Sequence, residues 1–342
     1  MSPTPSASSV SSAAPAGTPS VVRVATRGSK LARWQASEVA AQLSRSHPDV
    51  DVELVVVETE GDQRRDVPIW ELSGQGVFVK EVQAAVLDGR ADVAVHSAKD
   101  LTSVSAPGLA LAAVLERGDP RDALVGRSLS ELPRGAVVAT GSVRRQAQLA
   151  WKRPDLQFIG LRGNIATRLS KVPAGGAVVV AAAALERLGL MDSAAELLDP
   201  SVMVPQVAQG AIAVECSSSS SSSSSSDRAG WVRSLVSALD DPSTRLAVTA
   251  ERAFLARLGG GCDLPVGAHC AGGVLTGVLA SPDGRALLRD SVEVGERAGG
   301  SGGAGSSRAA GSGAGDLAPA EKAGRELAEK LLEAGGAGLL NG

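Results

Sequence analysis

The fold is organised around the stretch Ala91-Asp92-Val93-Ala94-Val95-His96-Ser97-Ala98-Lys99-Asp100-Leu101, in which an apolar run breaks abruptly into polar and small residues. Residues 91–95 are apolar and rich in valine, which predicts a strand buried on both faces of a parallel sheet. Residues 96–100 then lie just past its carboxyl end, where open α/β sheets bind their ligands. A carboxylate there, beside Lys99, can stabilise a cationic intermediate or move a proton. Asp100 would equally serve to cap a following turn, and this stretch alone leaves both roles open.

The composition is typical of a soluble globular protein whose cores are made of small aliphatic residues. With 342 residues, the chain is long enough for two or three domains. The hydrophobic fraction of 44% is ordinary, whereas an aromatic fraction of 2% without any Tyr leaves Val, Leu and Ala to fill the cores. The formal net charge of -3, without a Lys/Arg block, gives no case for a nucleic-acid partner.

Targeting and membrane signals are not recognisable in the sequence. Residues 1–20 are rich in Ser, Pro and Ala, lack the basic start and apolar block of a secretory signal, and are expected to form a disordered tail. The apolar run at 174–185 is too short to span a bilayer, so no membrane partner is expected. Three cysteines, an odd number, favour reduced thiols and a cytoplasmic location.

Strand-like and helix-like segments alternate along most of the chain, which predicts an α/β fold with mostly parallel sheets. Residues 21–25 predict a first strand, and the helix that follows Thr26-Arg27-Gly28-Ser29 has Ser29 as a suitable N-cap. A helix start beside Arg27 can hold an anion, although an ordinary capped helix with a solvated Arg also explains this segment. Alternation resumes beyond a predicted interdomain loop at 116–124 and indicates a second sheet.

The placement of arginines is the second informative feature. Arg144, Arg145 and Arg162 lie at or just before predicted helix starts, where the helix dipole disfavours cations unless an anion is bound. A ligand with several carboxylates would explain them, because Arg binds carboxylates in bidentate fashion. Pairing with the chain's own Asp and Glu residues explains any single Arg as well. Together with Arg168 and Arg187 on the following helices, the set favours an anionic ligand.

The loop Gly259-Gly260-Gly261-Cys262-Asp263-Leu264-Pro265-Val266-Gly267 exposes a candidate reactive sulfur. Cys262 could be a nucleophile, a metal ligand, a covalent attachment point or a small buried hydrophobe. With His269 and Cys270 it matches no usual zinc spacing, so we expect no metal. The glycines favour attachment or nucleophilic chemistry, whereas Cys216 and Cys270 are expected to be structural or incidental.

Six short motifs, taken in their order along the chain, resemble the signatures of the porphobilinogen deaminase (hydroxymethylbilane synthase) family. They cover roughly residues 21–335, and their common order makes a chance origin very unlikely although each motif alone is weak. The motifs are Arg27-Gly28-Ser29-Lys30-Leu31-Ala32, Val95-His96-Ser97-Ala98-Lys99-Asp100, Gly118-Asp119-Pro120-Arg121-Asp122-Ala123, Ser142-Val143-Arg144-Arg145-Gln146, Leu161-Arg162-Gly163-Asn164 with Thr167-Arg168-Leu169, and Gly260-Gly261-Cys262 with Pro265-Val266-Gly267.

The resemblance implies a transferase of tetrapyrrole synthesis. Such an enzyme joins four porphobilinogens head to tail, releases ammonia at each step, and finally releases linear hydroxymethylbilane by hydrolysis. The family's dipyrromethane cofactor would be held by a thioether to Cys262, and Asp100 and Lys99 would be the catalytic residues. The residues that match binding positions for cofactor and substrate are Arg27, Ser29, Ser97, Ser142, Arg144, Arg145, Arg162, Arg168 and Arg187.

The family's architecture implies three domains after the tail. Residues 21–115 with 207–241 would form the first and 116–206 the second, both doubly wound and periplasmic-binding-protein-like, and 242–342 would form a smaller α/β domain that carries the cofactor cysteine. We expect a monomer. Because the bound chain grows within one cleft, we also expect hinge motion near Glu116 and Pro205.

The sequence departs from the family pattern at a few places. Gln75 and Glu71 stand where relatives commonly carry Lys, and Thr102 replaces a frequent Pro. The serine run 217–226 and the Gly/Ser-rich segment 299–315 are expected to be surface loops. The main rival function is a two-lobed anion-binding protein without catalysis, and a cysteine-dependent hydrolase is the third candidate.

Overall fold

The structure is a computed structural model, and it describes residues 21–59, 79–218, 224–260, 264–295 and 316–340, with the backbone alone at 224–227. Several sequence predictions therefore lie outside the described residues: the tail 1–20, Glu71, Gln75, Cys262 and the segment 299–315.

Three sheets organise the described residues. The strands, in chain order, are β1 (Val21–Arg27), β2 (Asp51–Val57), β3 (Val93–Ser97), β4 (Leu109–Val114), β5 (Asp122–Val125), β6 (Val137–Ala139), β7 (Gln157–Ile159), β8 (Ala177–Ala181), β9 (Ala194–Leu198), β10 (Ile212–Ser217), β11 (Val266–Ala271), β12 (Val274–Ala280) and β13 (Leu287–Glu293). The helices are α1 (Lys30–Ser46), α2 (Lys80–Leu87), α3 (Val143–Lys152), α4 (Ile165–Leu169), α5 (Ala182–Arg187), α6 (Ser224–Ser237), α7 (Pro242–Arg257), α8 (Ala318–Leu331) and α9 (Ala337–Leu340).

The first unit is a five-stranded sheet with the order β2-β1-β3-β10-β4. Strand β1 runs parallel to β2 and β3, whereas β10 is antiparallel to both of its neighbours. Side chains alternate between two apolar cores, since Val24 lies in the core with α1 and α6 and Ala25 lies in the core with α2. The unit is therefore doubly wound, with helices on both faces of a mostly parallel sheet.

The second unit repeats this plan with the order β7-β6-β8-β5-β9. Strand β6 is parallel to β7 and β8, and β5 is antiparallel to β8 and β9. Val179 packs with Leu149 of α3 on one face, and Val178 packs with Leu185 of α5 on the other. Strand β8 is buried along its whole length, as expected for the centre of such a sheet.

The third unit is an antiparallel sheet, β11-β12-β13, covered by α7 and α8. Phe254 of α7 and Leu327 of α8 are fully buried in its core. A Cβ at Gly324 would collide with the carbonyl of Ala250, so the two helices meet backbone to backbone there.

Two segments connect the first and second units. The chain leaves the first unit through residues 115–121, the first crossing, and returns through residues 199–211, the second crossing. Ala208 and Ala211 of the second crossing also belong to the core of the third unit. The two crossings are thus the place where all three units meet.

The structure corrects three local predictions. Strand β3 runs from Val93 to Ser97 because β10 pairs with it up to Ser97, so His96 lies in the strand and is buried beside Glu215 rather than in the turn. The predicted loop at 116–124 is a strand from Asp122 onward. The serine run is not one loop, since Ser217 ends β10 and α6 begins at Ser224.

No helix among the described residues has both the length and the apolar character needed to cross a bilayer.

Candidate active site

The turn after β3 carries the two candidate catalytic side chains. A 3-10 turn, Ala98–Asp100, follows Ser97 directly. The turn is fixed from its start, because the N–H of Ala98 donates to the carbonyl of Ala211 at 3.0 Å. Ala98 is buried, while Lys99 and Asp100 are half-buried. The structure therefore presents both side chains at the carboxyl edge of the first sheet, where the sequence predicted them.

The first unit lines this edge with three more of the predicted residues. Arg27 ends β1 and is half-buried. Ser29 caps α1 by accepting a hydrogen bond from the N–H of Ala32 at 3.2 Å. Ser97 accepts from Nε2 of the buried Gln35 at 2.9 Å. The hydroxyls of both serines thus take part in local structure that holds the edge in shape.

The second unit contributes a buried ion-pair cluster. Ser142 caps α3 by accepting from the N–H of Arg145 at 3.4 Å, which places Arg144 and Arg145 in the first turn. Asp122 begins β5 and accepts from Arg144 Nη2 at 2.8 Å and from Arg145 Nε at 2.9 Å. Burial alone would raise the pKa of Asp122, but the charges of the two guanidinium groups lower it to about 2. For these two arginines the sequence left two explanations open, and the structure shows the intramolecular carboxylate.

Arg162 and Arg168 bring further positive charge to the same cleft. Arg168 Nε donates to the carbonyl of Gly163 at 2.8 Å. Burial and the charge of Arg145 lower the pKa of Arg168 to about 10; Arg162 and Arg27 act in the same direction, and Asp100 opposes them. The charges of Arg27 and Asp100 on the first unit therefore act on an arginine of the second.

Arg187 links the two units at another point of the cleft. It ends α5, and its guanidinium lies 5.6 Å from the ring centre of Trp34 on α1. Its Nη2 also donates to the carbonyl of Gly210 at 2.5 Å. Burial lowers the pKa of Arg187, so its charge is incompletely compensated by the carboxylates near it.

Lys99 changes its charge much closer to neutral pH than an ordinary lysine does, because its pKa is lowered. Burial lowers the pKa of Lys99 to about 8, and Arg145 and Arg144 act in the same direction against Asp100 and Asp122. Its Nζ donates to Oε1 of Gln209 at 3.1 Å. An amine with this pKa can both release and regain a proton under physiological conditions.

The third unit approaches the site through the ends of its candidate cysteine loop. One cavity is lined by Lys99 and Ser142 of the first two units together with Arg252, Leu255 and Leu264 of the third. Helix α7 ends at Arg257, and Leu264 follows the loop that carries Cys262. The described ends of the loop thus lie beside the turn after β3, although Cys262 itself is outside the described residues.

The other two cysteines are unsuited to nucleophilic chemistry. Cys216 and Cys270 are free and buried. Burial raises the pKa of the Cys216 thiol, and burial together with Glu251 raises that of Cys270 to about 11. Within the described ranges, no group of three His, Cys, Asp or Glu side chains is arranged to hold a metal ion.

The assembled cleft suits a ligand that carries several carboxylates. Arg168 and Arg187 are half-buried, and their lowered pKa values indicate that nearby carboxylates do not fully compensate their charges. Nη1 of Arg162 is buried and has no hydrogen-bond partner among the described residues. Carboxylates brought by a ligand would supply these missing partners, because charge-assisted bonds to Arg are strong in such surroundings.

Three residues of the site escaped the sequence analysis as functional positions. Asp122 lies within one of the six motifs without a predicted role, and neither Gln209 nor Trp34 is among the predicted site residues. Gln209 contacts Lys99 across 110 residues of sequence. A buried carboxylate at the start of a strand, next to an Arg-Arg pair in a following helix, is a signal that could have revealed Asp122.

Comparison with known proteins gives consistent matches over most of the chain. Residues 22–225 match the family model "Porphobilinogen deaminase, dipyromethane cofactor binding domain", and residues 245–333 match "Porphobilinogen deaminase, C-terminal domain". Three relatives named porphobilinogen deaminase are similar: one from Acidothermus cellulolyticus is 48% identical and covers 80% of this chain and 83% of its own length. Those from Syntrophotalea carbinolica (42% identical, 92% and 94% covered) and Pelobacter propionicus (40% identical, 94% and 97% covered) match almost end to end. The solved structure of the methionine binding protein MetQ is 13% identical with a TM-score of 0.39, covering 64% of this chain and 93% of its own.

Proposed function

The chain belongs to the porphobilinogen deaminase family, and we propose that the cleft between its first and second units, around Asp100 and Lys99, is where it carries out the family's reaction. The enzyme is a transferase, hydroxymethylbilane synthase. It condenses four porphobilinogen molecules with loss of one ammonia each, and water then releases the linear product. The family membership sets aside the binding-protein and hydrolase alternatives.

The family's cofactor is dipyrromethane, and the residues of the cleft fit such a group. When bound, it supplies the acceptor pyrrole to which the first porphobilinogen is joined. The unpartnered Nη1 of Arg162 and the incompletely compensated Arg168 and Arg187 would hold the carboxylates of the cofactor and substrate. We propose Cys262 as the attachment point, since the described ends of its loop lie beside the cavity at Lys99.

Asp100 is proposed as the residue that stabilises the positive charge developing on the substrate as ammonia leaves. A half-buried carboxylate at a strand end is well placed for this, because it acts in surroundings of low dielectric and is fixed before the reaction begins. Lys99 is proposed to keep a proton available beside it, which its pKa of about 8 permits.

The remaining predicted residues are proposed to bind or shape the site. Arg27, Arg145, Arg162, Arg168 and Arg187 would bind carboxylates, while Asp122 holds Arg144 and Arg145 in position. Ser29, Ser97 and Ser142 fix the edges of the cleft through their caps and the bond to Gln35. The observation that carries the proposal is the buried Nη1 of Arg162, which lacks a hydrogen-bond partner among the described residues, in a cleft where the charges of Arg27, Arg145 and Asp100 all act on Arg168.

The intact mass of the purified protein tests the attachment. We expect an added mass equal to two linked pyrrole units in the wild type and in Cys270→Ser, and the bare polypeptide mass in Cys262→Ser. Cys270→Ser is the matched control because it removes a buried thiol from the same unit. An adduct that survives in Cys262→Ser, or that disappears in Cys270→Ser alone, would place the attachment elsewhere.

The wider organisation is also proposed. Residues 21–115 with 207–241, 116–206 and 242–342 would be the three domains, which is supported by the three separate sheets. A cytoplasmic monomer without nucleic-acid or membrane partners is supported by the free thiols of Cys216 and Cys270 and by the small-molecule substrate of the family. Sedimentation of the purified enzyme tests the monomeric state, and cell fractionation tests the cytoplasmic location.

Hinge motion at the two crossings is proposed as the way the cleft accommodates the growing product. Both predicted hinge positions, Glu116 and Pro205, lie on the crossings. Crosslinking α1 to α5 should stall elongation at an intermediate visible by intact mass. Full turnover by the crosslinked enzyme would contradict the hinge.

A further inference from the structure

The side chain of Gln209 lies at the meeting point of the two units and of both crossings. It is fully buried on the second crossing. Its Oε1 accepts from Lys99 Nζ at 3.1 Å and from Arg145 Nη2 at 3.5 Å. Its Nε2 donates to the carbonyl of Pro120 at 2.8 Å and to Asp122 Oδ1 at 3.0 Å. One amide thus bonds the first unit, the second unit and the first crossing at once.

The orientation of this amide is determined by its neighbours. The oxygen end faces two cations, and the nitrogen end faces a carbonyl and a carboxylate. A flipped amide would direct its two N–H groups at the Lys99 ammonium and would leave the Pro120 carbonyl without its donor. Only a side chain that carries both a donor and an acceptor at its end can bond the two cations and the two oxygen acceptors together.

The backbone that carries Gln209 is held tightly to the first crossing and the third unit. Ala208 has a φ of 59°, which is uncommon for a residue with a side chain, and its N–H donates to Glu251 Oε2 at 2.6 Å. A Cβ at Gly210, whose φ is 90°, would lie 2.5 Å from the carbonyl oxygen of Gly118, so the two crossings touch there. The Gln209 carbonyl accepts from Arg117 Nε at 2.8 Å.

The position of Gln209 makes it sensitive to the angle between the units. Lys99 belongs to the first unit and Asp122 to the second, while the amide is anchored on the crossings. Any rotation of one unit against the other therefore changes at least one of these two distances. Of the two hydrogen bonds, the one to Lys99 involves the longer and more flexible side chain, whereas the one to Asp122 involves a short carboxylate.

We propose that Gln209 is a positioning residue for the transfer reaction, which holds the Lys99 ammonium toward the cleft and ties its position to the angle between the two units. The proposal rests on the proposed role of Lys99. Gln209 makes no hydrogen bond to Asp100, and its bond to Lys99 is shorter than its bond to Arg145 (3.1 against 3.5 Å), so we assign its effect on turnover to Lys99.

A double-mutant cycle on the holoenzyme tests this route. Gln209→Met keeps the length of the side chain and removes both hydrogen-bonding ends, and Lys99→Met removes the ammonium. We expect Gln209→Met to lower kcat about tenfold with KM changed less than about twofold, and Lys99→Met to lower kcat about a hundredfold. The double variant should equal Lys99→Met within about twofold, because Gln209 has nothing left to position.

Gln148→Leu is the matched control. Gln148 is also a buried glutamine bonded to the second crossing, since it donates to the carbonyl of Val204 at 3.0 Å and accepts from the N–H of Val204 at 2.7 Å. It makes no bond to Lys99 in the structure, so its replacement should leave kcat within about twofold while lowering the melting temperature. Gln209→Asn, whose shorter side chain cannot span the same partners, enters the same cycle if Gln209→Met does not fold.

Three results would overturn the proposal. An additive cycle, with the double variant about a thousandfold down, would show that Gln209 acts independently of Lys99. A kcat within twofold of wild type in both Gln209 variants, or an equal loss in Gln148→Leu, would show a role limited to structure. Wild-type turnover in Lys99→Met would remove the proposed role of Lys99 itself, whereas an additive cycle removes only that of Gln209.

Discussion

The first and second units both place one antiparallel strand fourth in a five-stranded sheet, yet they use the same sheet edge differently. In the first unit, the central strand β3 is followed by Ala98–Asp100, which presents a half-buried lysine and carboxylate. In the second unit, the corresponding strand β8 is followed by alanines at 182–184 that are all buried in α5. The proposed chemistry therefore depends on the residues at one strand end and not on the fold that the two units share.

Both units nevertheless place a carboxylate at this edge. Asp100 lies in the turn after β3, whereas Asp122 begins the antiparallel strand beside the end of β8, opposite Ala181. Asp122 is fully buried and bonded to Arg144, Arg145 and Gln209. We interpret the first carboxylate as reactive and the second as structural, and the two roles predict opposite effects of the same substitution.

The largest effect is expected at Asp100. Replacing its charge by an amide in Asp100→Asn should lower kcat about 10³-fold, because electrostatic stabilisation of the developing charge is lost. The melting temperature should stay close to that of the wild type, since the side chain is half-buried. Steady-state turnover of porphobilinogen and thermal unfolding of the same preparation measure both quantities.

Asp155→Asn is the control for this substitution. Asp155 is paired with Arg153 on the second unit, away from the cleft, and its loss should leave kcat unchanged. If Asp100→Asn retained more than a tenth of wild-type turnover, the assignment of Asp100 as the reactive carboxylate would be wrong.

The substitution Asp122→Asn should show the reverse pattern, with stability as the main loss. It leaves the buried Arg144 and Arg145 without their counter-charge, which should cost about 3 kcal/mol in the free energy of unfolding. Urea denaturation of wild type and variant measures the difference. Asp155→Asn again serves as control, with a much smaller loss expected because its pair with Arg153 is more exposed.

The pH dependence gives Asp122 a second signature. Because the folded-state pKa of about 2 is below the ordinary 3.8, its stabilising contribution is complete above the ordinary value and disappears as the pH falls toward 2. Asp122→Asn should abolish that part of the acid dependence. Parallel acid-unfolding curves in wild type and variant would contradict the assignment.

The dependence of kcat on alkaline pH should report on Lys99, which lies at the edge of the first sheet. Burial and Arg145 lower its pKa to about 8, so the ammonium is present below that pH and is lost above it. We expect kcat to fall about tenfold per pH unit above pH 8 in the wild type and not in Lys99→Arg, whose guanidinium stays protonated. Lys152→Arg, at the end of α3, is the control and should keep the wild-type profile. An alkaline limb that survives in Lys99→Arg would assign it to another group.

Much of the fold could be predicted because it depends on local pattern. The break after the apolar run at 91–95 placed Lys99 and Asp100 at a strand end, and the cap at Ser142 placed two arginines in a first turn. The pairing of β10 with β3, which extends β3 to Ser97, could not be predicted from the sequence pattern because it joins segments more than 100 residues apart. The role of Gln209 could not be predicted for the same reason: it lies 110 residues from Lys99 in the sequence, and its neutral side chain gives no periodic or charge signal.

The partners of the arginines could not be predicted from local sequence. The helix dipole correctly marked Arg144 and Arg145 as cations that need an anion, but the dipole does not say which anion. Asp122 supplies it for both, from a strand that the sequence analysis assigned to a loop. Within the part of the chain that the structure describes, no salt bridge joins Arg162 or Arg168 to a carboxylate, and their roles in binding stay predictions.

The smallest effect is expected where the two units touch through Trp34 and Arg187. The ring of Trp34 lies 5.6 Å from the guanidinium of Arg187, a contact worth about 0.5 to 1 kcal/mol at a partly exposed site. Trp34→Leu frees Arg187 to move, so it should raise KM for porphobilinogen about two- to fivefold with kcat nearly unchanged. Trp34→Phe keeps an aromatic face and should show less of this effect. Trp151→Leu replaces a comparably exposed indole on α3 and should leave KM unaltered. A lower kcat in Trp34→Leu at constant KM would mean that the contact serves the chemical step and not the holding of the ligand, because a purely binding interaction changes KM alone.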